Sequence, residues 1–275
     1  MEQPNWMTQL FSIDGQTPMT RLLFLAIPPT LNLVLVSMLA VSTMTFASEC
    51  EVCHSNQDFY AQDRKLYAYY QDWLTSPHQA AGLNCEDCHG GDPTAHDVHA
   101  AHHDIAPLMD TKSTLYYKNQ PTTCGTCHAD KASEFKQSKH YEALMADSIA
   151  PTCTTCHRAM NRKPYYRDIL LYGCRTCHNE QNVDHIPLVT DRAGEILHRL
   201  NLAKAYLGWT TVYYQEQDWP GDAKQQVQAI SHRYDEAITK IHGFDLTEMD
   251  ENSIEILTTL KLMFQNAWDE KQGMD

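Results

Sequence analysis

The chain has 275 residues, and its formal net charge is −14 at neutral pH. An acidic balance of this size argues against binding to nucleic acid or to anionic lipid, because both carry negative charge. It favours instead a protein partner with a basic docking patch. One or two domains would be usual for this length.

The N-terminal part of the chain has the features of a targeting segment. Residues 22–47 form an apolar run without charge, and Thr45 and Ala47 make a small-residue cleavage site after it. Met19 is a candidate true start, because the 18 residues before it contain two acids and no base. The run is also long enough for an uncleaved membrane anchor. Residues 1–47 are therefore expected to be a signal peptide or an N-terminal anchor, with the remainder periplasmic or otherwise extracytoplasmic.

Every cysteine of the chain belongs to a Cys-x-x-Cys-His motif, and the motif occurs five times. This spacing is typical of haem c attachment, in which each thiol bonds to a porphyrin vinyl group and the histidine binds the iron. Zinc ribbons also pair cysteines in this way, but zinc needs no histidine directly after each second cysteine. A disulfide framework would not require one spacing for all ten cysteines. The sequence therefore predicts five covalently bound haem c groups with iron. Motifs 1 to 5 are Cys50, Cys53 and His54; Cys85, Cys88 and His89; Cys124, Cys127 and His128; Cys153, Cys156 and His157; and Cys174, Cys177 and His178.

Residues 48–189 are predicted to form a pentahaem cytochrome c domain. The 129 residues from Cys50 to His178 carry all five motifs, about 26 residues for each haem. So little chain cannot build an ordinary hydrophobic core, and the porphyrins are expected to form the core instead. The domain is rich in Pro, Gly, Asn and Asp, so we expect a mainly α fold with much irregular loop. Only 21 residues separate Cys153 from Cys174, which predicts that the haems of motifs 4 and 5 are adjacent.

The C-terminal segment, residues 190–275, contains no cysteine and has helical periodicity. Its first helix ends at Pro220-Gly221, its second ends near Gly243, and its third begins at about Asp250. The apolar positions of these helices are Ile196, Leu200, Ala203 and Leu207; Ala223, Val227, Ile230, Tyr234 and Ile238; and Ile254, Leu257, Leu260, Phe264 and Trp268. A helical hairpin or three-helix segment is predicted, which either packs on the haem domain or makes subunit contacts.

Sequences between the motifs resemble a known group of cytochromes. Two Ser-x-His elements end at His78 and His140, and a run Cys-His-Gly-Gly-Asp-Pro-Thr-Ala ends at Ala95. These elements are similar to those of the multihaem cytochromes that include hydroxylamine oxidoreductase and the small tetrahaem electron carrier of ammonia oxidisers. The resemblance covers roughly residues 50–185 and implies the same style of haem packing.

The resemblance also implies which histidines bind iron on the distal side. By match they are His78, His140 and His102, with His99 and His103 as rivals of His102. A fourth candidate is His185, which follows the last motif by seven residues. The candidates for a fifth are His96, His99, His198, His232 and His242. Ten histidines lie outside the motifs, enough to complete six-coordinate iron at all five haems.

Electron transfer is the function that these features favour. Catalysis at a haem needs an open iron position with acid, base or oxyanion-stabilising groups above it. Nitrite reductases that share the haem-packing style carry a lysine in place of the proximal histidine, and this chain has no Cys-x-x-Cys-Lys. The sequence thus predicts a non-enzymatic pentahaem cytochrome that carries electrons from haem to haem in an extracytoplasmic respiratory chain.

Two other functions stay open, together with the choice of partners. One is an oxidoreductase that acts on a small nitrogen or sulfur oxide at one open haem, and the other is a structural haem module of a larger cytochrome assembly. The expected partners are a redox donor and an acceptor, with a quinol-oxidising membrane protein as one candidate, and a homo-oligomer is left open. Contact with a membrane is expected only if the N-terminal segment is uncleaved, and no nucleic acid is expected.

Overall fold

Helices account for all the regular secondary structure that a computed structural model describes, in residues 48–158, 167–181 and 188–273. These ranges contain fourteen α-helices, one 3-10 turn and no strand, so the prediction of a mainly helical fold is confirmed. The proposed signal or anchor, residues 1–47, lies outside them. No helix in the described ranges is long and apolar enough to cross a membrane.

The region that carries the motifs is built from short helices, the longest of which has 11 residues in the described part. These helices are α1 (Glu49–His54), α2 (Gln57–Gln62), α3 (Arg64–Leu74), α4 (Pro77–Ala80), α5 (Glu86–His89), α6 (Val98–Ala101), α7 (Gln120–Gly125), α8 (Ala129–Lys136), α9 (Lys139–Met145), α10 (Cys153–His157) and α11 (Arg167–Arg175). Helices of this length are marginal on their own and depend on tertiary packing. Yet few large apolar side chains are buried in the described part of this region; they are Trp73, Phe135, Leu144 and Leu171. A sparse protein core of this kind is what the prediction of a haem-filled core requires.

The Gly-Gly-Asp run after motif 2 forms a tight turn. Gly90 and Gly91 have φ angles of 75° and 90°, which side chains other than glycine rarely adopt. A Cβ at Gly91 would lie 2.5 Å from the backbone oxygen of Ala101, so only glycine permits this approach. The amide of Asp92 then donates to that same oxygen at 3.0 Å. The turn therefore folds α6 back against the end of motif 2.

The C-terminal segment forms the three predicted helices: α12 (Val189–Glu216), α13 (Ala223–Lys240) and α14 (Leu246–Gly273), with a 3-10 turn at Ile241–Gly243. The predicted apolar positions of α12 and α13 are buried or partly buried. One core cluster joins all three helices and includes Ile196, Leu200, Ile230, Tyr234, Ile256 and Leu260. A Cβ at Gly194 of α12 would lie 3.2 Å from Leu171 of α11, so this segment packs closely on the motif-bearing region. That packing was one of its two expected roles.

Two details of α14 differ from the prediction. The helix begins at Leu246 rather than near Asp250, because the Asp245 carboxylate accepts hydrogen bonds from the amides of Thr247 and Glu248 at 2.9 and 3.1 Å. Ile254 was assigned to the buried face and is 48% exposed. The buried stripe is rotated because α14 contacts both α12 and α13, and its buried positions are Met249, Ser253, Ile256, Leu257, Leu260 and Ala267.

Candidate haem sites

Each Cys-x-x-Cys-His motif lies in a helical turn. Motifs 1 and 4 lie within α1 and α10. Motif 2 begins at the N-cap of α5, and motifs 3 and 5 begin in the last turns of α7 and α11. In motifs 2, 3 and 5 the histidine amide donates to the oxygen of the first cysteine, at 2.9, 2.9 and 2.8 Å. Residues spaced three and four apart share one face of a helix, so both thiols and the imidazole of a motif can reach one porphyrin. None of the ten cysteines forms a disulfide, as haem attachment requires.

Four of the five motif histidines lie beside a histidine from another part of the chain. The ring centres are 6.2 Å apart for His54 and His102, 6.1 Å for His128 and His78, 6.1 Å for His178 and His140, and 6.2 Å for His157 and His242. Two imidazoles that bind one metal from opposite sides, with metal–nitrogen bonds of about 2.0–2.1 Å, have ring centres about 6.3 Å apart. The four separations agree with this distance, although the pairs come from different helices and differ in interplanar angle. The residues present therefore fit an iron atom between each pair.

The two Ser-x-His elements are helix starts. Ser76 and Ser138 are the N-caps of α4 and α9, and each is 3% exposed. Their hydroxyl oxygens accept backbone hydrogen bonds three residues later, at 3.2 and 3.1 Å. In both elements the histidine is the second residue of the helix, so the cap fixes the backbone from which His78 or His140 projects. This shared geometry explains why the two elements have the same sequence pattern.

Hydrogen bonds orient two of the paired histidines outside the motifs. Nδ1 of His102 lies 2.8 Å from the backbone oxygen of Val98, and Nδ1 of His242 lies 3.1 Å from the oxygens of Ile238 and Thr239. A histidine that binds a metal through Nε2 usually donates its Nδ1 proton to such an acceptor. Nδ1 of His140 is buried without a hydrogen-bond partner, which leaves a polar atom that the protein alone does not satisfy.

Burial disfavours the protonated form of several of these imidazoles and of His89. It lowers the pKa of His54, His89, His140, His157 and His242, and for the first four a nearby histidine lowers the pKa further. Only a neutral imidazole has a lone pair available for iron. These histidines are therefore held in the form that can act as a metal ligand.

The first three motifs are neighbours in chain order. Burial, and next the nearby Cys50 thiol, raise the pKa of Cys85 to about 11, so motifs 1 and 2 are close. Burial, and next the thiol of Cys124, raise the pKa of Cys88, so motifs 2 and 3 are close. The Thr114 hydroxyl donates to the backbone oxygen of Cys88 at 2.6 Å and ties the segment before motif 3 to motif 2. Motif 2 is thus adjacent to both.

Motifs 3, 4 and 5 continue this order. A hydrogen bond between the thiols of Cys124 and Cys153 raises the pKa of the first and lowers that of the second. A Cβ at Gly173, the residue before motif 5, would lie 3.7 Å from Sγ of Cys156 in motif 4. Each motif therefore has the next motif of the chain beside it. The closeness of motifs 4 and 5 supports the prediction that their haems are adjacent.

Several histidines named from the sequence have other surroundings. His99 is exposed on α6, and its amide donates to the Asp97 cap at 3.0 Å. Four other exposed candidates belong to no histidine pair in the described residues: His96, 2.9 Å from Glu49; His103, 2.8 Å from Asp104; His232, 3.5 Å from Glu236; and His198 on α12. His185 lies outside the described residues. Within those residues no ring pair includes His89.

His242 is the paired histidine that sequence analysis did not single out. It was one of five candidates for the last distal position, and no motif marks it. The available signal was its place in Ile-His-Gly, where the second helix of the C-terminal segment ends. A histidine at a helix end can be directed toward a neighbouring element, but the sequence does not say which element lies there.

Comparisons with known proteins agree with the motifs. No protein-family model and no solved structure matches the chain. A stretch of 117 residues, 40% of the chain, is 29% identical to 13% of the C-type polyheme cytochrome OmcB of Geobacter sulfurreducens. A stretch of 140 residues, 50% of the chain, is 26% identical to 39% of the multiheme cytochrome MtrA of Shewanella baltica. The chain thus spans well under half the length of these relatives. The similarity supports a multihaem c-type cytochrome with covalently bound haem c, without singling out the hydroxylamine oxidoreductase group.

Proposed function

We propose that this chain is a pentahaem c-type cytochrome that carries electrons along its haems in an extracytoplasmic respiratory chain. The observation that supports this most is the neighbourhood of the five motifs in chain order, together with the histidine pairs at 6.1–6.2 Å. When bound, the haems would supply one-electron iron couples, between which charge can hop over short distances. The proposal includes a relationship to the hydroxylamine oxidoreductase group, which the Ser-x-His elements at His78 and His140 and the run ending at Ala95 support.

The protein residues have three tasks in this proposal. The cysteines would attach each porphyrin, and the motif histidines would bind the irons. His102, His78 and His140 would supply second ligands to the irons of motifs 1, 3 and 5. Two imidazoles give a lower potential than histidine with methionine, which suits a relay between donors and acceptors at quinone level. Electrons would then pass between the haems of motifs 1 to 5 in chain order.

The partners in this proposal follow from charge and from the chemistry of attachment. Haem is attached to such motifs outside the cytoplasm, so the donor and acceptor are expected there. The net charge of −14, made more negative by haem propionates, favours a donor or acceptor with a basic docking surface. A quinol-oxidising membrane protein is one candidate donor. Association rates with such a partner should fall as ionic strength rises.

One observation favours a second candidate function. His89 of motif 2 has no ring partner within the part of the chain that the structure describes. If the iron of motif 2 has an open position, that haem could reduce or oxidise a small nitrogen or sulfur oxide while the other four feed it electrons. His185 remains a candidate distal ligand from the sequence, and its binding to an iron would close this route.

The number of haems tests the first proposal directly. The chain is produced with a c-type haem attachment system, and haem is counted by the pyridine haemochrome spectrum and by intact mass under denaturing conditions. Five covalent haems per chain are expected. The variant with all five motif histidines kept and both cysteines of motif 5 replaced by alanine should retain four. A wild-type chain that attaches no haem would refute the proposal.

A further inference from the structure

We infer that His242, in the turn between α13 and α14, is the distal ligand of the haem attached at motif 4. This assignment rests on the proposed function, because it requires a haem at Cys153, Cys156 and His157. It gives the C-terminal segment a direct part in the redox centre. The segment would then do more than cover the motif-bearing region, since its removal or loosening would open one iron.

The first support is the distance between His157 and His242. Their ring centres are 6.2 Å apart, with nearly parallel rings at 16°. The three other pairs include His102, His78 and His140, the distal ligands that the resemblance implies, and their ring centres are 6.1–6.2 Å apart. The pair of His157 and His242 therefore has the same separation as the other three pairs, although no sequence pattern marks the turn that carries His242.

The second support is the orientation of the His242 ring. Nδ1 lies 3.1 Å from two backbone oxygens of the last turn of α13, those of Ile238 and Thr239. These acceptors favour the tautomer that carries its proton on Nδ1, which leaves the Nε2 lone pair for a metal.

The third support is the way in which the turn is anchored. The Thr239 hydroxyl donates to Asp130 at 3.1 Å, and the Lys240 ammonium donates to Glu134 at 2.8 Å, so α13 is tied to α8 just before His242. Because α8 follows motif 3 directly, these bonds fix the turn relative to the motifs.

Phe244 anchors the other end of the same turn. Its ring lies edge-on at 4.4 Å from His140 and at 6.3 Å from Phe135. Its backbone has a φ of 60°, a left-handed conformation that an aromatic residue adopts only where its surroundings require it. Because His140 is the partner of His178, this turn contacts the ligand pairs of motifs 4 and 5 at once.

The test compares His242→Ala and His242→Met with His232→Ala in the full-length, haem-loaded chain. His232 lies on α13, the helix just before this turn, is exposed, and is 3.5 Å from Glu236, so its replacement controls for loss of a nearby histidine. Ferric spin state is read by electron paramagnetic resonance, and carbon monoxide binding is read in the reduced protein. Haem count and the redox midpoints are measured for each variant.

Relative to wild type, His242→Ala should convert one haem of five to high spin and gain about one equivalent of carbon monoxide binding, with all five haems attached. Added imidazole should restore the low-spin signal. His242→Met should raise one midpoint, because methionine in place of histidine raises the potential. His232→Ala should match wild type. Should His242→Ala not accumulate, His242→Met decides, because it keeps a ligand of similar length.

Two results would overturn different parts of the reasoning. Five attached haems with an unchanged spin state and unchanged midpoints in the His242 variants would show that His242 is not a ligand, while the proposed function would stand. A wild-type chain without haem at motif 4 would refute the proposed function itself. A parallel change in His232→Ala would show that the effect comes from the helix and not from ligation.

Discussion

Replacement of Leu260 by alanine should strongly destabilise the C-terminal segment. Leu260 has no exposed surface and lies in the core cluster that α12, α13 and α14 share. Loss of a buried leucine side chain beyond Cβ costs about 2–5 kcal/mol, depending on how far the neighbours close the cavity. Three helices hold this site, which leaves the neighbours little freedom, so we expect a loss of about 3–4 kcal/mol in the free energy of unfolding.

Leu262 provides a matched control on the same helix. Its side chain is 63% exposed, so Leu262→Ala should change the free energy of unfolding by about 0.5 kcal/mol or less. Both variants are unfolded in guanidinium with haem attached, and helix content is followed by far-ultraviolet circular dichroism. Leu260→Ala should lower the midpoint with an unchanged slope. Equal midpoints for the two variants would refute the account of this core.

Three further predictions concern the haem sites. His140→Met should raise one redox midpoint in a potentiometric titration, with five haems still attached. The control His198→Met, on an exposed face of α12, should leave all five midpoints unchanged. Unchanged midpoints in both variants would show that His140 is not a ligand. Cys85→Ala should weaken covalent attachment of one haem, so that intact mass under denaturing conditions reveals chains with four; uniform retention of five would contradict the role of motif 2. Ser138→Ala removes the cap of α9 and should lower the free energy of unfolding by about 1 kcal/mol, measured by thermal or guanidinium unfolding. Replacement of the exposed Ser133 by alanine should have a negligible effect, and equal stabilities of the two variants would show that Ser138 does not stabilise α9.

The parts of the site that could be predicted from sequence are those that a few consecutive residues determine. The Cys-x-x-Cys-His spacing is itself the helical face that presents two thiols and an imidazole. Likewise, Ser138 caps the helix in which His140 is the second residue, so cap and candidate ligand form one short pattern. Their pairing with particular motif histidines could not be predicted, because it depends on which helices pack together.

His242 shows the limit of this reasoning. Its position beside His157 depends on the contact of α13 with α8, made through residues 106 and 109 positions apart in the chain. Its place at the end of α13 sets it apart from His232, which lies within α13 and faces solvent, but that place does not say which motif it meets. The misplaced start of α14 has a local cause instead, since the cap at Asp245 precedes the apolar periodicity by several residues.

The buried face of α14 was only partly predictable for a related reason. A helix that packs on one neighbour buries a single stripe, but α14 packs on two, and its stripe turns toward Ile256 and away from Ile254. Leu257 and Leu260 lie on the overlap of the two faces and were predicted correctly. Periodicity therefore identified the helix and its centre, while the orientation of the ends required the tertiary contacts.

Carbon monoxide binding to the reduced, haem-loaded wild-type chain tests the central claim most directly. A carrier whose five irons each have two protein ligands should bind little or none on mixing, with at most slow sub-stoichiometric uptake as distal bonds open. Rapid binding of one equivalent per chain would reveal a vacant iron position. That result would contradict the assignment as a carrier and would favour a haem oxidoreductase with motif 2 as the first site to examine.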